Sequence, residues 1–575
     1  MDRKLLLGVA LMIVIALAPT FLFKKAPAPV PSAATTGGAG GQGGGDSVAG
    51  RQRGSDTGSR PVPGAAPATV QQPTGSNPPP GPPAPPEDTV VVSSALYRYS
   101  FSSRGGRLIG ATLLKYHSTV KADAAVPLEI IGTDASLFGL VEQGGVDSLR
   151  VADWPLTPSA TALDVTTAIQ TLTFTGSQGN KSVTVSYQFH PDDYRIEVSG
   201  KLDGVGPAGG LLLVGLGHGL RNTEADTASN HNEYGIVVRQ QESKVTKLSS
   251  FDPTETKVFA GPFQWVALKS KYFTTSIMSA DSTNPLAGVT ATSQAPAPGE
   301  KKSFRADTRV SMALASDGRF GYTGYVGPME FKRLKALGRD FDDVNPYGWP
   351  GFRVVIRFFT TPVRWLLVAM HQYLGLTYGV VLILFGVLIK GLTWPLQAKA
   401  MRSSMKMQEL QPVLKALQAK YSNDPTALNR EMMALYKEKG VNPLGGCLPM
   451  MIPMPVLWAL FVVFQYSIEL RGTPFLWLTD LSAHDPLYII PLIMGVSMFA
   501  VSKIGQKGLP PNPQMASMVY VMPVAMTLLF SRFPAGLNLY YAVQNLAGLP
   551  QQWMLTQERL KRSAKPVVVV NTKKK

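Results

Sequence analysis

The sequence predicts a multi-domain membrane protein with six transmembrane helices: an N-terminal anchor and a five-helix core. An antiparallel β-sandwich domain lies on the outer side and a helical hairpin on the cytoplasmic side. Three observations predict this. Apolar runs fit to enter a bilayer occur at the N-terminus and then only beyond residue 375. Between them, short alternating and β-branched runs recur, separated by Gly, Asp, Asn and Pro. Basic residues crowd some of the loops between apolar runs and avoid others.

Composition alone hides this segregation. The chain has 575 residues, is 45% hydrophobic and carries a formal charge of +17. Spread over a soluble domain that charge would suggest nucleic acid, but many of the bases flank apolar runs, as they do beside a membrane. The single cysteine, Cys447, cannot form an intramolecular disulfide, so oxidation plays no part in the fold.

Residues 1–25 hold the run LLLGVALMIVIALAPTFLF, with Arg3 and Lys4 before it and Lys24 and Lys25 after it. It is longer than the apolar part of a cleaved signal, about 7–15 residues, which favours an uncleaved anchor. Residues 26–88 are rich in Pro, Gly, Ala and Ser without apolar periodicity, and read as a disordered tether. Residues 89–345 contain runs such as TVVVSSALYRYSFSS, KSVTVSYQF and YGIVVRQ, whose spacing gives the β-sandwich. The histidines there, His117, His190, His218 and His231, lack metal-ligand spacing, so no metal or other cofactor is expected. Residues 346–374 place Arg353, Arg357 and Arg364 within about 40° of arc on a helix. Val354, Val355, Phe358 and Trp365 fall opposite, the pattern of an amphipathic helix lying in the membrane interface. A surface helix of the β-domain is the alternative.

Residues 375–553 supply the five core spans, at about 377–396, 448–466, 486–502, 516–530 and 535–553. The stretch 397–443 has eight Lys or Arg and is read as cytoplasmic, whereas 467–485 has only Arg471 and lies outside. Counting back puts the β-domain outside and the N-terminus inside; the basic tail, 554–575, is cytoplasmic too. The loop 397–443 forms a hairpin of two helices joined at Ser422–Asn423, the second capped by Asp424 with Pro425 at its first position.

Conventional catalytic chemistry is missing from this reading. No nucleotide loop, zinc-protease motif or nucleophile elbow occurs, and Lys503, the one partner for a Ser497-type protease, falls at a span end where snorkelling accounts for it. The chain is therefore not expected to be an enzyme. What stands out is a set of polar groups in apolar helices: Lys390, Gln465, Ser497, Asn538, Gln544 and Asn545. Asn538, Tyr541, Asn545, Gly548 and Gln552 recur at spacings of 3, 4, 3 and 4, which puts them on one helical face. Facing lipid, such a stripe is costly, so it should meet neighbouring helices or water. Lys390 sits about 9 Å of helix from the end of its span near Leu396. Snorkelling and a deliberately placed charge both fit it.

Three long segments carry a resemblance: EMMALYKEKGVNPLGGCLPMMIPMPVLWAL (431–460), ELRGTPFLWLTDLSAHDPLYIIPLIMGVSMF (469–499) and FPAGLNLYYAVQNL (533–546). With FSSRGGRL (101–108) near the start of the β-domain, they resemble the YidC membrane protein insertases of the Gram-negative type, over essentially the whole chain. The resemblance implies an inner-membrane protein with a large periplasmic domain, which inserts newly made membrane proteins alone or beside the Sec translocon. It implies a hydrophilic groove carrying one positive charge, here Lys390 where the family more often has arginine. Groove residues would be Lys390, Gln465, Ser497, Asn538, Tyr541, Gln544 and Asn545. An apolar slide for the substrate would use Met454, Leu457, Met522, Met526 and Phe530. The implied partners are nascent membrane proteins, the Sec translocon, membrane lipids, and the ribosome and signal recognition particle receptor through the hairpin and basic tail. A small-anion transporter or channel using the same lysine is the competing class, weakened by the lack of an internal repeat among the core spans.

Overall fold

A computed structural model describes residues 87–563 apart from 133, 144–147, 206–209, 282–283, 298, 348–352, 441–453 and 509–512. Within helices it leaves undescribed some side chains in 404–415, those of 454–455 and 513–518, and that of 562 onward. The expected anchor (1–25), nearly all of the tether (26–88) and most of the basic tail lie outside the described residues.

The alternating runs form strands as expected. Lys181–Phe189 turns Val183, Val185, Tyr187 and Phe189 inward and the residues between them outward, the period-2 pattern of a sheet with one buried face. Such strands assemble into three sheets, of five, nine and five strands. The nine-stranded sheet has at its middle the antiparallel neighbours Trp265–Lys269, Phe273–Ser279, Arg319–Pro328, Arg195–Asp203 and Lys181–Phe189. One core is shared by all three sheets and includes Val90, Val185, Val214 and the fully buried Trp265.

The expectation of a purely antiparallel sandwich needs correcting on one point. The short strand Ala162–Asp164 adds in parallel to the edge of Thr89–Ser93. Three residues complete an edge without contributing much of the alternating pattern that betrays a strand. The glycines of FSSRGGRL are required where they stand. Gly105 has φ of +73°, and a Cβ there would lie 2.4 Å from the carbonyl oxygen of Ala152.

Ten helices are used below: α1 (Thr227–His231), α2 (Phe331–Ala336), α3 (Arg353–Leu374), α4 (Tyr378–Glu409), α5 (Gln411–Lys420), α6 (Pro425–Glu438), α7 (Met454–Tyr466), α8 (Ile489–Gln506), α9 (Pro513–Phe530) and α10 (Ala535–Ser563). Asp424 caps α6, accepting from the backbone N–H groups of Thr426 and Ala427. Among the described residues, three helical stretches are long and apolar enough to cross a membrane: Arg353–Leu374, Tyr378–Ser403 and Ile489–Gln506. Val456–Tyr466 and Val519–Phe530 are shorter apolar helices. α4 continues past its apolar stretch to Glu409, and α10 runs on to Ser563.

Charged side chains join the β-domain to the helices. Arg471, in the segment between α7 and α8, donates to Glu224 at 2.8 Å and to the carbonyl of His117 at 2.9 Å. It also lies over the ring of Phe273. The arginines of α3 turn the same way. Arg353 donates to the carbonyl of Ser243, Arg357 pairs with Asp340 and Asp342, and Arg364 lies over the ring of Phe331 while donating to the hydroxyl of Ser467, just past α7. Val354, Phe358 and Trp365, on the opposite side of α3, are exposed.

Lys269 is buried in this seam, donating to Asn345 Oδ1 at 2.7 Å and Glu233 Oε2 at 3.3 Å. Burial pushes its ammonium below the ordinary lysine value of 10.5, with Glu233 opposing. The folded chain thus holds this proton less firmly than the unfolded one. Between the lowered folded value and 10.5, stability should rise with pH. Thermal midpoints of the detergent-solubilised chain, followed upward from about pH 7, are expected to show that slope, and Lys269→Met to flatten it.

Candidate functional site

The site is built where α10 lies in parallel between α4 and α8. Its contacts with α4 climb both helices together. Gln544 Nε2 donates to the carbonyl of Gly386 at 2.7 Å, Gly548 meets Lys390, and Gln551 Nε2 donates to the carbonyl of Trp394 at 3.0 Å. Positions 386, 390 and 394 share one face of α4, and 544, 548 and 551 one face of α10, because residues three or four apart are neighbours on a helix. Glycine on either side permits the approach. A Cβ on Gly386 would sit 2.8 Å from Val543 Cγ1, and one on Gly548 would sit 3.0 Å from Lys390 Nζ.

On its other side α10 meets α8. Asn545 Nδ2 reaches Ser497 Oγ at 3.3 Å, while the Ser497 hydroxyl donates to the carbonyl of Met494 at 2.8 Å. Further along, Thr556 Oγ1 donates to the carbonyl of Ile504 at 3.2 Å, and Arg559 donates to those of Gly505, at 2.7 Å, and Lys507. The carbonyl of Ile504 also accepts from the backbone N–H of Lys507, the residue that caps α8, so Thr556 and Arg559 hold α10 to the C-terminal turn of α8.

Lys390 is half-buried. Its Nζ donates to Gln397 Oε1 at 2.8 Å, two turns further along α4, and Gln397 Nε2 donates to Thr393 Oγ1 at 3.0 Å. The described residues place no carboxylate within ion-pair distance of this ammonium. A half-buried charge answered by a neutral amide is costly in an apolar setting, and its acceptor place is easily improved.

The expected groove residues separate into two groups. Lys390, Gln465, Tyr541, Gln544 and Asn545 keep part of their surface open. Ser497 and Asn538 are buried, and Asn538 spends its amide N–H on the carbonyl of Phe530 at 2.9 Å, closing the turn from α9 into α10. Of the slide residues, Leu457 and Met526 are half-buried and Met522 is exposed. Phe530 packs against Phe533 and Tyr541, each with ring centroids 5.1 Å apart. The side chain of Met454 is outside the described residues. Two contributors escaped the sequence reading: Gln397, whose only signal was its seven-residue offset from Lys390, and Gln551, the third member of the face that meets α4. Among the described residues, no group of three His, Cys, Asp or Glu could hold a metal ion.

A large β-domain clamped to packed apolar helices, with a half-buried lysine between two of them, defines a multi-span membrane protein. Comparisons with known proteins make the assignment specific. Residues 369–563 match the family model described as 60Kd inner membrane protein, and residues 89–366 match the YidC periplasmic domain. The membrane protein insertase YidC of Chlorobaculum tepidum is 31% identical over 519 residues, covering 86% of each chain. That of Geobacter sp. strain M21 is 32% identical over 486 residues, covering 81% of this chain and 85% of the relative. A crystal structure of an active YidC insertase aligns with 18% identity over 81% of this chain and 92% of its own, at a TM-score of 0.32. The chain belongs to the YidC family of membrane protein insertases, inner-membrane proteins with a periplasmic domain.

Proposed function

We propose that this chain inserts newly made inner-membrane proteins by offering an acidic terminal segment a polar path along α4 and α10, with Lys390 as the charge that receives it. The observation that carries the reading is the half-buried Lys390 ammonium, held by the amide of Gln397 instead of a carboxylate. Lys390, Gln465, Tyr541, Gln544 and Asn545 keep the path polar, and Ser497 and Asn538 brace the helices behind it. Partial hydration there shortens the distance over which a polar segment goes unsolvated, where each unsatisfied group costs several kcal/mol. The substrate's apolar segment lies against Met454, Leu457, Met522, Met526 and Phe530, and its partitioning into lipid supplies the drive.

In this arrangement the chain has six spans, the N-terminal anchor among them, with both termini cytoplasmic. α3 rests at the periplasmic surface, its exposed Val354, Phe358 and Trp365 toward lipid. The basic hairpin of α5 and α6 and the C-terminal tail meet incoming chains, the ribosome or the receptor of the signal recognition particle, and the Sec translocon is a partner for some substrates. The test is photo-crosslinking of a stalled nascent membrane protein to probes at Trp394, on the same face of α4 as Lys390, and at Leu457. Crosslinks to the acidic tail at 394 and to the apolar segment at 457 are the expected outcome. No crosslinks, together with saturable binding of a small anion, would overturn the reading in favour of a transporter.

A further inference from the structure

Lys390 and Gln397 form a pair whose geometry goes beyond supplying a charge. The lysine chain runs along α4 toward Gln397, two turns on, and passes over Gly548 of α10, where any side chain would crowd it. The amide of Gln397 is itself oriented. Its nitrogen donates to Thr393 Oγ1, and that hydroxyl donates to the carbonyl of Ile389 at 2.8 Å. Because the hydroxyl takes the amide's N–H, the amide oxygen is left facing Lys390. An ammonium has three donors, and Gln397 is the side-chain acceptor for one of them.

We infer that Gln397 is a positioning and specificity-determining residue: it holds the Lys390 ammonium over Gly548 with a neutral acceptor and gives up that place to a substrate carboxylate. The inference rests on the proposed role of Lys390 in receiving acidic segments. Charge-assisted hydrogen bonds are roughly twice as strong as neutral ones, so a carboxylate displaces the amide and the amide does not displace a carboxylate. When the substrate leaves, the amide returns, and the ammonium is never without an acceptor. A glutamate at 397 would defeat this, since a permanent internal ion pair leaves nothing for the substrate to improve.

The test uses the full chain in proteoliposomes and two single-span substrates, identical except that one has Asp and Glu in its tail and the other Asn and Gln. The readout is the ratio of their insertion rates. Gln397→Glu should lower the acidic-to-neutral ratio at least roughly fivefold, about 1 kcal/mol of lost discrimination. Gln397→Met keeps the charge and loses only its placement, so acidic insertion should fall by roughly two- to threefold, well under 1 kcal/mol. An unchanged ratio in Gln397→Glu, an equal loss for both substrates, or a loss in Gln397→Met as deep as in Gln397→Glu would overturn the inference. Lys390→Met separates the two levels of the argument. If it abolishes the preference for acidic tails while Gln397→Glu leaves it intact, the charge is right and the role of Gln397 is wrong. If it leaves the preference intact, the role of Lys390 fails as well.

Discussion

Arg471→Ala should free the segment between α7 and α8 from the β-domain, and proteolysis within 467–485 should accelerate by roughly two to four orders of magnitude. The size follows from burial. The Arg471 and Glu224 side chains are only 4% and 7% exposed, and their nitrogen and oxygen are 2.8 Å apart. Removing one partner of such a pair costs about 3–5 kcal/mol, because the other charge stays buried without compensation. The carbonyls of His117 and Thr223 lose a donor in the same step. Cleavage of a transiently open segment follows the open population when closing is fast, so the free energy converts directly into rate. Arg471→Met combined with Glu224→Gln should recover most of the loss, since a buried pair contributes little net stability against neutral side chains of similar volume. A single variant as resistant as the parent would show that the two units are held together by other contacts.

This ion pair also marks where sequence reading ended. Arg471 stood out only as the one basic residue of its loop, a fact useful for topology. Glu224 lies 247 residues away, and no local pattern links them. The arginines of α3 show the same limit. Their common face was legible from spacing, but their partners Asp340, Asp342 and Ser467 belong to other elements, and folding alone brings them near. Periodicity, by contrast, is a local property and was read correctly. The alternation of Lys181–Phe189 and the Asp424 cap follow from neighbours within a strand or a turn, whereas the polar stripe of α10 divides between two partners, Gly548 meeting Lys390 of α4 and Asn545 reaching Ser497 of α8. Gln397 falls between these cases. Its spacing from Lys390 was visible, but a glutamine near the end of a span is ordinary until the direction of the lysine side chain is known.

Lys390→Glu is the substitution with the largest expected effect on function: insertion of an acidic-tailed substrate should fall at least roughly tenfold, and a basic-tailed counterpart should become the preferred one. A factor of ten corresponds to about 1.4 kcal/mol. Two unit charges about 4 Å apart interact by about 4 kcal/mol at an effective dielectric of 20 and about 1 kcal/mol in bulk water. A half-buried site lies between those limits. Reversal removes an attraction and adds a repulsion, so even the watery limit gives a change of about 2 kcal/mol, enough for the tenfold loss. Gln544 and Gln551 hold α10 to the backbone of α4 through bonds that do not involve the 390 side chain. Helix packing should therefore survive the substitution. The discriminating readout is the exchange of preference between tails of opposite sign. Damage to the bundle would slow both substrates together, whereas a charge that meets the substrate slows one and speeds the other. Equal slowing of both would mean that Lys390 serves the packing of α4 and not the passage of the chain.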